Sequence, residues 1–323
     1  MNTWNKALAL ALAIVGIIFT QKLFGGTTEK KESAPTVITA GEKYPSGTTV
    51  VPVGPTPVIN QEQELKPSQK IKEEIYLPGT KGGPMVLIPT GEFMMGCNEA
   101  VDNQCQKEKE EKPYHRVYLD AYYIDKYEVT VAEYEKCANA GKCSAPASKI
   151  DNEACNWGNS DRGNHPINCL GWSQASDYCE WAGKRLQTEA EWEYAARGTD
   201  GRVYPYGNQF DCGKSCSSVS PCSKHHSTCP VGNYAEDKSP YGVMDMAGNV
   251  WEWVSDWYSE KYYKKSPAQN PQGPSSGTDG ARAFRGGSWG NLAQAEVRAS
   301  YRNGGNPSIG YLYVGFRCVR GVN

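Results

Sequence analysis

The twelve cysteines constrain this chain more than any other feature, because all of them lie beyond residue 96. An even number of cysteines confined to one part of a chain is typical of disulfides formed in an oxidising compartment. We therefore expect an extracytoplasmic protein, found in the periplasm, at the cell surface or secreted. Three pairs are close neighbours in sequence and are expected to form disulfides: Cys97 with Cys105, Cys137 with Cys143, and Cys155 with Cys169.

A second group of cysteines lies within the stretch CGKSCSSVSPCSKHHSTC, beside His225 and His226. Two chemistries are open here, a zinc site or disulfides, since thiolates and imidazoles are both zinc ligands. The spacing is unlike that of a zinc ribbon or finger, and export favours disulfides. Spacing alone does not decide how these four would pair: Cys212, Cys216, Cys222 and Cys229.

The segment before the cysteines predicts export followed by a linker. The apolar run Ala7–Phe19 is shorter than a membrane-spanning helix requires, so residues 1–26 are expected to be a signal peptide or a retained membrane anchor. A retained anchor would tether the chain to a membrane. Residues 27–77 are rich in Lys, Glu, Thr and Pro, which predicts a disordered tether. Within this tether, the stretch VVPVGPTPVI could instead pair as a short strand.

The charge balance excludes one class of partner. The chain has 34 basic and 36 acidic residues and a formal net charge of −2. A nucleic-acid-binding surface needs a basic field, so no nucleic acid is expected as a partner. The 34 glycines and 20 prolines favour a loop-rich fold over a helical bundle.

The remaining residues, 78–323, carry the signals of regular structure. Met85–Gly96 and His115–Thr130 alternate apolar and polar residues, as strands do. Capping boxes at Thr130 and Thr188 predict helices that end near Gly141 and Gly198. A third helix is expected after Ser173 and should stop at Gly183.

Five blocks of sequence then occur in an order that identifies a family. They are MVLIPTGEFMMG, YYIDKYEVTVAEY, GWSQASDYCEWAGKRLQTEAEWEYAARG, PYGVMDMAGNVWEWVSDWY and RGGSW with VGFRCV. Together they resemble the formylglycine-generating enzyme (sulfatase-modifying factor) domain family. The resemblance implies a single irregular, loop-rich α+β domain of the formylglycine-generating-enzyme type, which is a variant of the C-type lectin fold.

The family's oxidase chemistry is not expected here. The resemblance implies two copper-binding cysteines shortly after the GGS turn, because Cu(I) requires soft thiolate ligands. The corresponding positions hold Asn291 and Glu296, so the chain is a member without the copper-binding cysteines and no copper is expected. A non-haem iron site would need a set of histidines and a carboxylate. The four histidines do not form such a motif: His115, His165, His225 and His226.

Two structural features are implied by the resemblance. The first is a calcium site in YGVMDMAGNVWEW, whose ligands would be the side chains of Asp245 and Glu252 and the backbone carbonyls of Gly248 and Val250. Oxygen ligands on a loop suit calcium. The second is a long-range disulfide between Cys179 and Cys318.

The stretch from Arg285 to Val319 is the expected binding face. Between RGGSW and VGFRCV it mixes Tyr, Asn, Ser and Gly, a composition typical of adaptable binding surfaces. We expect a ligand-binding or structural module whose ligand is a protein or a glycan. The alternative is an enzyme of the family, of oxidoreductase or non-haem iron type, with altered active-site chemistry. The expected ligand-binding residues are Asn291, Leu292, Gln294, Glu296, Asn303, Asn306, Tyr311 and Tyr313.

Overall fold

The computed structural model describes residues 75–105, 109–147, 152–219, 222 and 225–322. The expected signal or anchor segment and almost all of the expected tether lie outside these residues. The described residues all belong to one compact unit, Leu65–Asn323. Within the described ranges, no helix has the length and apolar character needed to cross a membrane.

Ten strands in the described part form three small sheets. Their orders are β1-β4-β10-β5, β2-β3 and β8-β7-β6-β9, and the one parallel pairing among them joins β6 to β9. The strands are β1 (Met85–Ile88), β2 (Gly91–Met95), β3 (His115–Leu119), β4 (Tyr122–Asp125), β5 (Arg185–Leu186), β6 (Trp251–Trp257), β7 (Arg282–Arg285), β8 (Arg302–Gly305), β9 (Val314–Gly315) and β10 (Cys318–Gly321).

Each of the two segments predicted to form a strand forms two separate strands in the structure. Met85–Gly96 gives β1 and β2, which pair in different sheets. Pro89 lies at the break and has no N–H to continue a ladder. His115–Thr130 gives β3 and β4, and its last residues lead into a helix instead of extending the strand.

Three α-helices pack against these sheets: α1 (Val131–Asn139), α2 (Trp172–Trp181) and α3 (Glu189–Arg197). The capping boxes at Thr130 and Thr188 are confirmed. The predicted start of α2 after Ser173 is wrong, because the helix begins after Gly171, whose N–H donates to Gln174 Oε1 at 2.9 Å. The loops of the described part contain six short 3₁₀ helices: Lys109–Glu111, Ser160–Arg162, Cys212–Lys214, Tyr262–Lys264, Thr278–Gly280 and Gln294–Val297.

The described residues form three apolar clusters, and α3 contributes to the first of them. One apolar cluster surrounds Trp192 and another surrounds Trp253. All nine residues of α3 are buried, including three glutamates and an arginine. Buried charges are costly unless they are paired, so these side chains require ionic partners from other segments.

All twelve cysteines are paired in six disulfides. The three expected local pairs and the long-range pair Cys179–Cys318 are confirmed. The cysteine-rich loop forms Cys212–Cys222 and Cys216–Cys229, which settles the pairing left open by the spacing. Six disulfides are what a protein from an oxidising compartment is expected to contain.

Candidate ligand-binding face and cation site

Four buried arginines hold the segment 285–319 in place through ion pairs. Each guanidinium is fully buried and bound to carboxylates from distant segments. Charge-assisted hydrogen bonds of this kind, which are often bidentate, orient the two side chains and also stabilise the fold. The pairs are Arg285 with Glu189 and Glu193, Arg298 with Asp102 and Glu111, Arg302 with Glu189, and Arg317 with Glu252.

The loop after the buried Ser288 is closed by its own side chains. Asn291 Oδ1 accepts from Ser288 N at 2.7 Å and from Ser288 Oγ at 3.0 Å. Glu296 lies in the following 3₁₀ helix, and its Oε2 accepts from Ala293 N at 3.4 Å. Leu292 between them is 65% exposed. Gln294 is also exposed, so this loop presents side chains to solvent on a fixed backbone.

The second part of the face begins in β8 and continues into the loop that follows it. Asn306 N donates to Tyr311 Oη at 3.0 Å, which closes a short loop. Asn303 Oδ1, within β8, accepts from the N–H of the next residue, Gly304, at 2.8 Å. Tyr313 is 39% exposed and stacks on Tyr311 at 5.8 Å between ring centroids.

Both parts of the face are hydrogen-bonded to one buried segment, residues 249–251. Trp289 N donates to Asn249 O, and Trp251 N donates to Tyr313 O, both at 2.8 Å. The Ser288–Glu296 loop and the Tyr311–Tyr313 segment therefore flank the same residues at the start of β6.

The cysteine-rich loop, residues 212–229, also contacts this face, and no pattern in the sequence predicts that contact. Ser218 Oγ donates to Trp289 O at 2.8 Å, and His225 N donates to Ser218 Oγ at 2.9 Å. The ligand atoms of Cys216, His225 and Cys229 lie within 4.8 Å of one another. Both sulfurs are joined in the Cys216–Cys229 disulfide, so they are not thiolate ligands.

Three of the expected calcium ligands, Asp245, Gly248 and Val250, lie in the turn that enters β6, and the fourth, Glu252, is the second residue of that strand. Asp245 has a left-handed backbone, with φ of +60°, and its Oδ2 accepts from Gly232 N at 2.6 Å. Gly248 must be glycine, because a Cβ there would lie 2.6 Å from the carbonyl oxygen of Cys216. Burial and the nearby Glu252 carboxylate raise the pKa of Asp245 to about 6.

Glu252 is held by partners from outside this turn. Its two oxygens accept from Arg317 at 2.8 Å each, and Oε2 also accepts from Trp192 Nε1 at 2.9 Å. Oε2 accepts a third hydrogen bond, from Gln187 Nε2 at 3.4 Å, so Oε1 is the Glu252 oxygen with a lone pair left for a cation.

Two further buried carboxylates adjoin the expected calcium set. Glu128 accepts from Asn249 Nδ2 at 2.6 Å and from Val250 N at 3.1 Å. Burial and the Asp245 carboxylate raise the pKa of both Glu128 and Asp237 well above the usual range. Asp237 Oδ1 is buried and has no hydrogen-bond partner in the described part of the chain. A buried carboxylate oxygen without a hydrogen-bond partner is one that a hard cation such as calcium could use.

The fold is an irregular α+β fold, and buried arginines hold the segment 285–319 within it. These features define a formylglycine-generating-enzyme-type domain. Residues 75–322 match the sequence profile of the sulfatase-modifying factor enzyme 1-like domain, and the chain belongs to this family.

The relatives include proteins named as formylglycine-generating enzymes and one that is named as inactive. The chain is 30% identical to the formylglycine-generating enzyme of Mus musculus over 316 residues, covering 78% of this chain and 81% of that protein. It is 34% identical over 169 residues to the inactive C-alpha-formylglycine-generating enzyme 2 of Bos taurus, covering 49% and 50%.

Solved structures share the fold. PvdO from Pseudomonas aeruginosa superposes with a TM-score of 0.62 at 26% identity, covering 77% of this chain and 100% of that one. Treponema denticola variable protein 1 superposes with a TM-score of 0.58 at 24% identity, covering 73% and 94%.

Proposed function

We propose that this chain is a non-oxidase member of its family that acts as a ligand-binding or structural module. One observation carries the proposal: all twelve cysteines are in disulfides, and the positions expected to hold copper-binding thiols hold Asn291 and Glu296. Cu(I) in this chemistry requires thiolates, which neither side chain supplies. The bovine relative named as inactive shows that family members without the activity exist.

The module acts outside the cytoplasm, in the periplasm, at the cell surface or as a secreted protein. The six disulfides and the apolar run near the N-terminus support this location.

The binding face is the surface formed by the Ser288–Glu296 loop and the Asn303–Tyr313 segment. Exposed apolar and aromatic side chains, Leu292 and Tyr313, stand there among amides and glycines. Tyrosine provides a large contact area at low cost in conformational entropy, and amides adapt their hydrogen bonds. A protein or glycan ligand suits such a face.

A calcium ion held by Asp245, Glu252 and the carbonyls of Gly248 and Val250 would stabilise the turn beneath this face. The excess of buried carboxylates around that turn supports the site. When bound, calcium would supply positive charge and oxygen coordination, and it would fix the backbone that contacts Trp289 and Tyr313.

Tyr313→Ala and Leu292→Ala are expected to abolish ligand binding without unfolding the domain. The labelled full chain is applied to arrays of glycans and of purified cell-surface proteins, and the spots bound by wild type are compared with those bound by each variant. Tyr76→Ala and Leu87→Ala are matched controls, because these side chains are 67% and 43% exposed and lie elsewhere. The controls should bind like wild type.

The binding proposal fails if both face variants bind as wild type does, or if wild type binds no spot. The enzymatic alternative is favoured instead if the purified protein contains stoichiometric copper or iron, or if it oxidises a cysteine-containing peptide after loading with Cu(I).

A further inference from the structure

A cavity of about 520 Å³ lies outside the proposed binding face, in the stretch of chain that enters the cysteine-rich loop. All of its lining residues come from residues 206–214, and none belongs to the Ser288–Glu296 loop or the Asn303–Tyr313 segment. Its volume lies within the range of about 300–1,000 Å³ that is usual for small-molecule sites. The cavity is therefore large enough for a small ligand.

The backbone around this cavity is held in one conformation by several contacts. Tyr204 and Gly207 exchange two backbone hydrogen bonds, at 2.8 Å and 3.0 Å, which close a tight turn. Asn208 Oδ1 accepts from Val203 N at 3.1 Å. The disulfide Cys212–Cys222 attaches the far end of the stretch to the cysteine-rich loop. A ligand would meet a preformed wall, so little conformational entropy is lost on binding.

Two aromatic rings form the apolar part of the cavity. Tyr206 and Phe210 are each partly exposed, and both pack against the buried ring of Tyr204. The Tyr204 and Tyr206 rings are stacked at 5.7 Å between centroids, and the Phe210 ring meets Tyr204 edge-on at 5.6 Å. Tyr204 thus holds both rings from the buried side. The negative face of an aromatic ring attracts C–H groups, such as those on the apolar side of a pyranose ring.

Amide groups form the polar part of the cavity. Gln209 is exposed and makes no hydrogen bond within the described part of the chain, and Asn208 uses only its Oδ1 there. Both side chains therefore keep N–H donors for a ligand, and Gln209 keeps its acceptor as well. An amide that donates and accepts at once matches adjacent hydroxyl groups, each of which can also do both.

The charges that line the cavity cancel. Asp211 and Lys214 both line it, and Lys214 Nζ lies 3.7 Å from Asp211 Oδ2. No other charged side chain of the described residues lines this cavity. A site with no net charge creates no field that attracts an anion or a cation. The lining therefore favours a neutral ligand over a phosphate, a carboxylate or an amine.

We propose that the cavity formed by residues 206–214 is a binding site for a neutral saccharide. Tyr206 and Phe210 contact the apolar side of the sugar ring, and Asn208 and Gln209 bind its hydroxyl groups. This site is separate from the proposed binding face, so it does not depend on the ligand of that face.

Saturation-transfer difference NMR of the full chain tests the proposal. The probes are maltose, cellobiose, lactose and diacetylchitobiose, each titrated separately. Wild type should transfer saturation to at least one of them, and the signal should level off on titration. Gln209→Ala should weaken that binding about threefold to tenfold, because a hydrogen bond to the sugar is lost. Phe210→Ala should abolish it, because one aromatic wall of the cavity is removed.

Two control variants locate the bound sugar. Gln269→Ala removes an exposed glutamine from another loop and should bind like wild type. Tyr313→Ala alters the proposed binding face and should also bind these sugars like wild type. On the glycan array, spots that Tyr313→Ala retains and Gln209→Ala loses belong to the 206–214 cavity.

Three results would overturn the proposal. Wild type could bind none of the probes, or Gln209→Ala could bind them as tightly as wild type does. In the third, Tyr313→Ala loses the sugar while Gln209→Ala keeps it, which places the sugar on the binding face and leaves the function proposed for that face intact. Melting temperatures show whether each variant is folded, and Gln209→Ala decides the outcome if Phe210→Ala is not.

Discussion

Tyr311 and Tyr313 are two residues apart in the expected binding face but have different surroundings. The ring of Tyr311 contacts Trp253 at 6.0 Å and Phe284 at 6.3 Å between centroids, and its hydroxyl group accepts from Asn306 N. Tyr313 is more exposed and stacks on Tyr311. Tyr311 is therefore a support for the face, and Tyr313 is a side chain that a ligand can contact.

Tyr311→Ala is expected to destabilise the domain, while Tyr313→Ala changes stability little. The loss for Tyr311 should be about 1–3 kcal/mol, below that of a fully buried aromatic side chain, because Tyr311 is only partly buried. Urea unfolding of the two variants beside wild type measures the difference. Equal losses for both variants would contradict this assignment of roles.

At the scale of elements, the buried arginines attach the binding segment to the rest of the fold. Helix α3 contributes Glu189 and Glu193, which bind Arg285, and Glu189 also binds Arg302. The 3₁₀ helix Lys109–Glu111 contributes Glu111 to Arg298. Loops between these attachment points can change in sequence while their ends stay fixed.

Arg298→Ala should lower the free energy of unfolding by about 3–5 kcal/mol, because it leaves two buried carboxylates unpaired. Those carboxylates, Asp102 and Glu111, are 7% and 1% exposed. Denaturant titration measures the loss. The matched control is Arg116→Ala, which removes a surface pair with Glu92 and should have little effect. A loss no larger than that of the control would show that Arg298 does not hold the segment.

At the scale of the whole molecule, the disulfides differ in the length of chain that they close. Cys179–Cys318 joins residues 139 apart and connects α2 to β10, whereas Cys137–Cys143 joins residues 6 apart. In the chain-entropy account, closing a longer loop removes more freedom from the unfolded state.

The double variant Cys179→Ala with Cys318→Ala should lose about 5 kcal/mol of stability, against about 2 kcal/mol for Cys137→Ala with Cys143→Ala. Urea unfolding of both double variants under non-reducing conditions tests this order. An equal loss in the two variants would mean that strain or packing, and not loop closure, determines their contributions.

The sequence by itself determined the features that depend on neighbours along the chain. The capping boxes at Thr130 and Thr188 predict the starts of α1 and α3, because a cap and its partner are three residues apart. Closely spaced cysteines predict their own disulfides. The five ordered blocks predict the family and the α+β fold, and with them the Cys179–Cys318 pair.

Only the tertiary structure decided the features that depend on register and burial. Spacing permits several pairings within the cysteine-rich loop, and packing selected Cys216–Cys229 and Cys212–Cys222. Alternation of residues predicts strands over Met85–Gly96 but does not show that they enter two sheets. The carboxylate partners of the buried arginines Arg285, Arg298, Arg302 and Arg317 are also far away along the chain. Spacing could not predict these ion pairs, because only packing brings such distant segments together.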